Sequence, residues 1–139
     1  MTRFFVDTVV LACSVGEDHP DRVACRDLLQ AAATGRIELH ASVEAVQEFL
    51  FHRLRRGERA PATAMTRRMA DLCVLHPFDR TVATRMIDLV GSTSLQGRDA
   101  VHVATAQVAG FTSIVSSDQD FDAAPGLSRL TPQQAAASL

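Results

Sequence analysis

Six acidic residues, Asp7, Glu44, Glu48, Asp99, Asp118 and Asp120, stand where this chain of 139 residues passes from apolar segments into helix starts or turns. Carboxylates gathered at the mouth of an apolar core repel one another. At 4 Å a like-charged pair costs about 4 kcal/mol at an effective dielectric near 20. Unless some are protonated, a cation must sit among them. The chain has no lysine, since all 14 of its Lys and Arg residues are arginine. That leaves Arg98 or a hard divalent ion such as Mg²⁺ or Mn²⁺, held by carboxylates and waters with positions open to phosphate. Two such ions ~3.5–4 Å apart activate water and stabilise a leaving oxygen in phosphodiester hydrolysis.

The elements that must position these acids can be read from apolar periodicity. Arg3–Val6 is a strand apolar enough to be buried on both faces, ended by Asp7-Thr8 and followed by a short helix over Val9–Val15. His19 or Asp21 opens a helix to Ala33 that turns Val23, Leu28 and Leu29 inward, and Thr34-Gly35 stops it. Ile37–His40 is a second strand, and Ser42 caps a helix over Val43–Arg56 with Val43, Val46, Leu50 and Leu54 along one face and Glu44, Glu48, Phe51 and Arg55 on the neighbouring stripe. A helix over Ala62–Leu72, a strand Val74–His76 and a helix from Asp79 or Thr81 to Val90 follow. The segment Gly97–Gly110 reads as a helix that is apolar nearly all round, and therefore buried, although it opens with Arg98-Asp99. Ser113–Ser116 is the next strand, Leu127–Leu130 a last edge strand, and Pro132 opens a tail helix. Short apolar strands alternating with helices predict one domain over residues 1–139, with a parallel sheet between helical layers.

In such a sheet, sites form outside the carboxyl ends of the strands. Asp7 and Asp118 both follow strands, Asp99 heads the helix leading into the second of those strands, and Glu44 and Glu48 share a helix face. Each also has a purely structural reading. Asp7 and Asp99 suit helix N-caps, Glu44 suits a helix dipole, Glu48 can pair with His52, and Asp118 and Asp120 suit a turn. What favours a site is their joint arrival at one edge.

Composition narrows the classes further. A net charge of −2 marks neither a nucleic-acid nor a membrane binder, and 47% apolar residues supply a core. The missing lysine excludes any mechanism that needs an amine, P-loop phosphate binding among them. Three widely spaced cysteines, Cys13, Cys25 and Cys73, predict reduced thiols packed in the core. Asp7 interrupts the first apolar run, too early for a signal peptide, and no stretch approaches the ~18 apolar residues of a membrane span, so the expected location is the cytoplasm.

The segments Phe4-Phe-Val-Asp7-Thr8, Ser42-Val-Glu-Ala-Val-Gln-Glu48-Phe, Arg98-Asp99-Ala-Val-His-Val-Ala-Thr-Ala and Ser116-Ser-Asp118-Gln-Asp120-Phe121 together resemble the PIN-domain ribonucleases, and among them the VapC toxins of toxin–antitoxin pairs. The resemblance spans the chain in order. It implies a three-layer α/β/α PIN-like fold with a central parallel sheet of four or five strands. It implies Mg²⁺- or Mn²⁺-dependent endoribonuclease activity on RNA, neutralisation by a VapB-type antitoxin and a homodimer. The family's acids fall on Asp7, Glu48, Asp99 and Asp118, with Asp120 a frequent extra acid and Thr8 and Ser116 in support. Val9 departs from the family, which commonly has a small polar residue there, and one turn of misalignment would exchange Glu44 with Glu48.

His19, His40, His52, His76 and His102 lack the spacing of a zinc site, and His102, one turn after Asp99, reads as a core or supporting residue. Arg53, Arg55, Arg56, Arg59, Arg67 and Arg68 form a basic stretch that fits either a solvated helical hairpin or a contact with RNA or antitoxin. Phe49 and Phe51 flank the Glu48 face and suit the receipt of an antitoxin helix. A catalytically silent PIN-like module that binds RNA or protein is the alternative. A receiver domain would need an acidic pair and a late lysine, and a haloacid-dehalogenase-type phosphatase an Asp-x-Asp that Asp7-Thr8-Val9 lacks.

Overall fold

A computed structural model describes residues 1–139. Strand β1 (Thr2–Phe5) lies parallel to β2 (Ile37–Ser42), and β2 lies parallel to β3 (Cys73–His76). A second parallel pair joins β4 (Ser113–Val115) to β5 (Ser128–Leu130). The expectation of one sheet of four or five strands needs correction. The strands form a sheet of three and a sheet of two, which touch at the single bridge Val6–Val115. The reason is length: β4 and β5 have three residues each, and β1 meets β4 only where it ends. At that junction the Val6 N–H donates to the His40 carbonyl (2.8 Å) and the Asp7 N–H to the Val115 carbonyl (3.0 Å). Asp7 is thus clamped by its backbone to the end of β4.

Side chains alternate across a strand. Phe4, Val6 and Leu39 enter a core shared with α1 (Thr8–Cys13), α2 (Arg22–Ala33), α3 (Val43–Arg56), α4 (Arg59–Leu72) and α7 (Pro132–Ala137). Phe5 and Ile114 enter the opposite core, beneath α5 (Arg80–Ser92) and α6 (Gly97–Val108). Both faces are covered, which gives the three layers and explains the continuous apolar reading of the strands. Positive φ values at Gly35 (77°) and Gly110 (87°) end α2 and α6, where a Cβ would be strained. The three cysteines are free thiols. No helix is long and apolar enough to cross a membrane.

Several facings differ from those expected. Val23 is 71% exposed, and α2 buries Ala24, Cys25, Leu28 and Leu29 instead. In α3 the buried residues are Ala45 and Phe49, whereas Val43 is exposed and Val46 and Leu50 are only half-buried. The buried residues of α3 belong to neither expected stripe: Ala45 and Phe49 enter the core, Glu44 and Glu48 are half-buried, and Phe51 of the acidic stripe is exposed. Val108 is also exposed, so α6 does keep a narrow outer edge.

Between β4 and β5 the chain makes a 3-10 turn over Gln119–Ala123, capped by Asp118, whose carboxylate accepts from the Asp120 N–H at 2.9 Å. Phe121 anchors this turn, fully buried in the α5–α6 core. Phe121→Ala is expected to lower unfolding free energy by about 3–5 kcal/mol. Chemical denaturation measures this, and a loss below about 1 kcal/mol would contradict the packing described.

Candidate active site

Asp7, Thr8, Ser116 and Asp118 converge because β1 and β4 end side by side. The Asp7 carboxylate is buried and accepts from the Thr8 N–H (2.7 Å) through Oδ1 and from the Ser116 hydroxyl (3.0 Å) through Oδ2. Ser116 Oγ in turn accepts from the Asp118 N–H at 3.0 Å, so one hydroxyl ties the two acidic strand ends together.

Glu48 reaches the same place from α3. Its Oε2 accepts from the Thr8 hydroxyl at 2.9 Å, and its Oε1 lies 3.2 Å from His102 Nε2. Glu44, one turn earlier, makes neither contact, and the pairing of Glu48 is with His102 rather than His52. His102 is 1% exposed. Its Nδ1 lies 2.8 Å from the Ser42 hydroxyl, whose oxygen also accepts from the Ala45 N–H (3.1 Å) and so caps α3. Its Nε2 also stands 3.5 Å from Thr8 Oγ1 and 3.8 Å from Asp7 Oδ1. The ring orientation is therefore fixed from both sides.

Asp99, at the first turn of α6, faces Asp118 and Asp120. One carboxylate oxygen from each of the three lies within 4.8 Å of the others. No guanidinium pairs with any of them. Asp120, expected only in support, is thus a full member of this open trio, whereas Glu48 belongs to the buried group around His102.

The charges follow from these positions. Burial raises the Asp7 carboxyl above its ordinary range, outweighing His102, Ser116 and the Thr8 N–H. Burial and the neighbouring Asp7 and Asp118 carboxylates push Asp99 up to about 6, against the pull of His102. For Glu48, burial would raise the value, yet the hydrogen bond and charge of His102, the Thr8 hydroxyl and Arg98 bring it below the usual range. Burial would lower His102, but Glu48, Asp7 and Asp99 together raise it. These carboxylates favour the protonated form of His102 in the buried half of the site. The open half has no such partner. Its oxygen-only donor set suits a hard divalent ion.

The sequence marks His102 as a core or supporting residue without its partners, and does not mark Arg129 at all. The role of His102 as the hub between Ser42, Glu48 and Asp7 had one available signal, its position one turn from Asp99 on the same face of α6. Arg129 had none. From β5 it donates to both Asp122 carboxylate oxygens (2.8 and 3.3 Å) and to the Ser116 carbonyl (3.2 Å), holding the acidic loop against β4.

A sequence model of the PIN domain matches residues 4–127. The chain is 38% identical over 119 residues to Ribonuclease VapC7 of Mycobacterium tuberculosis, covering 84% of this chain and 82% of that one. It is 32% identical over 130 residues to Ribonuclease VapC13 of the same organism, covering 90% and 97%. Among solved structures, VapBC2 from Rickettsia felis, bound to a DNA fragment from its promoter, is similar with a TM-score of 0.74 at 10% identity, covering 94% of this chain and 98% of that one. The sarcin-ricin-loop-cleaving toxin VapC20 of M. tuberculosis gives 0.70 at 17% identity, covering 88% and 95%. On the extent of the domain match and the identity to curated relatives, the chain belongs to the PIN-domain family, among its VapC members.

Proposed function

We propose that this protein is a divalent-metal-dependent endoribonuclease toxin that cleaves RNA phosphodiester bonds and is neutralised by a VapB-type antitoxin. The single observation that carries the reading is the acidic edge: three carboxylates within 4.8 Å of one another, with Asp7 fastened beside them through Ser116. The ribonuclease names of its relatives and the VapBC complex in its structural neighbours support the substrate and the partner.

Asp7, Asp99 and Asp118 are the residues that would hold Mg²⁺ or Mn²⁺, with Asp120 completing the trio and Glu48 oriented toward the same centre. Bound there, such an ion supplies activated water and charge stabilisation for the leaving oxygen. The chain's own residues do the rest. His102 and Thr8 keep Glu48 ionised and fixed, Ser116 holds Asp7 in register with Asp118, and Arg129 keeps the loop bearing Asp118 and Asp120 from swinging away.

Chelation is expected to abolish cleavage of single-stranded RNA, and Mg²⁺ or Mn²⁺ to restore it. Ser116→Ala should weaken metal affinity ~10–100-fold, the usual effect of losing a partner behind a ligand. Asp99→Asn should cost more than that in cleavage rate. RNA binding with no metal-dependent cleavage, unaffected by Asp99→Asn, would instead select the silent-module alternative.

Stability offers a separate check. A carboxyl whose folded-state value is raised from 3.8 to about 6 binds its proton more tightly in the native state than in the unfolded state. Its stabilising contribution is present below about pH 3.8 and is lost as pH rises through about 6. Metal-free Asp99→Asn protein should therefore melt at a higher temperature than the unsubstituted chain at pH 7.5, and the difference should shrink toward pH 5. Thermal scans in chelator at both pH values measure it; an Asp99→Asn protein that melts lower at pH 7.5 would contradict the electrostatics described.

A further inference from the structure

Beyond the acidic edge, α1 and α3 run side by side. Thr8 touches Glu48 (2.9 Å), Ala12 shares a small cleft with His52, and a Cβ placed on Gly16 would stand 3.9 Å from Arg56 Nη1. The contacts advance four residues at a time on both segments, so the two walls continue together away from the site. Between them lies an open groove that widens to about 500 Å³ where Val15, Gly16 and Glu17 face Arg53 and Arg56. The far wall is fixed, because Arg26 donates to the Ser14 carbonyl (2.9 Å) and Arg22 to the Gly16 carbonyl.

Neither Arg53 nor Arg56 has a carboxylate within ion-pair distance. Of the three acids on the α1–α2 turn, Asp18 is engaged by Arg22 at 2.8 Å and Asp21 lies 3.7 Å from His19, and Glu17 is the one carboxylate that lines the groove beside Arg53 and Arg56. Along the α3 axis, Arg53 and Arg56 stand roughly 7.5 and 12 Å beyond Glu48. A nucleic-acid strand whose cleaved linkage lies at the acidic edge must carry its next phosphates past these positions if it leaves by this groove.

We infer that Arg53 and Arg56, facing Gly16 and Glu17 across the α1–α3 groove, bind backbone phosphates of the RNA strand next to the cleaved linkage. This rests on the ribonuclease reading above and adds to it a substrate-positioning site outside the acidic centre. Guanidiniums suit the task because their planar donors match phosphate oxygens. Phosphate contacts fix register and carry no base information. An RNA occupant is favoured over a protein one because the two walls of the groove begin at Thr8 and Glu48 of the acidic site, and its two guanidiniums without a carboxylate partner complement phosphate.

The test is fluorescence-anisotropy titration of a labelled single-stranded RNA dodecamer at several salt concentrations. It uses Asp99→Asn protein in chelator, so that the probe stays intact, with and without Arg53→Gln and Arg56→Gln. Loss of two phosphate contacts on a single strand should flatten the plot of log affinity against log salt by about 1.4 and weaken binding roughly 25-fold at 0.1 M salt. Arg55→Gln is the control, since its guanidinium lies over the Phe51 ring at 5.5 Å and outside the groove; it should leave the slope unchanged. Unchanged melting temperatures confirm that the variants are folded.

An unaltered slope in the double variant would overturn the inference, as would an equal loss in Arg55→Gln. If RNA binding stays intact while neutralisation by the antitoxin weakens, the groove belongs to the protein partner and the inference also fails. These outcomes leave the ribonuclease reading standing. Failure of the unsubstituted protein to cleave RNA in the presence of metal would bring down that reading itself.

Discussion

Like charge concentrated at one edge of a small parallel sheet is the constraint around which this molecule is built. The chain meets it in two ways. On the buried side, Asp7 and Glu48 are answered internally: the His102 imidazole stands beside both, its protonated form favoured by their charge, and Thr8 and Ser116 supply hydroxyl donors. On the open side, Asp99, Asp118 and Asp120 face one another with no cationic side chain between them. The first arrangement costs desolvation but is compensated by hydrogen bonds and a counter-charge. The second leaves a repulsion that a divalent ion relieves.

The fold serves this edge with little material. Three-residue strands β4 and β5 are too short to extend the main sheet, yet one bridge at Val6–Val115 suffices to bring the end of β1 against the end of β4. The backbone of Asp7 is committed to that bridge, so its carboxylate cannot drift from Ser116. Phe121 on one side and Arg129 on the other hold the acidic turn that follows. The geometry of the site is thus inherited from backbone pairing and core packing, and the side chains add only the last hydrogen bonds.

His102 shows how one residue can be both core and machinery. It fills space in an apolar layer beneath α6, and its two ring nitrogens connect the cap of α3 at Ser42 to the carboxylate of Glu48. A change at Ser42 would be felt at the site without touching an acid, because the cap and the orientation of the imidazole share one hydroxyl.

Much of this was legible in the chain as written. Apolar runs ended by acids located the strands and the edge they share, because a buried parallel strand must be continuously apolar and its carboxyl end must meet solvent. The capping hydroxyl of Ser42 and the breaks at Gly35 and Gly110 fixed helix limits for local reasons. What sequence alone left open depended on neighbours distant along the chain. Val23 and the Val43–Val46–Leu50 stripe are apolar at helical spacing, yet they face outward or only partly inward, since which line along a helix is buried depends on where the neighbouring elements lie. The choice of Glu48 over Glu44, the place of Asp120 within the trio and the reach of Arg129 to Ser116 likewise rest on distances of a few ångströms between segments far apart in sequence. Local patterning decided which residues could do chemistry; only the packing of distant elements decided which of them meet.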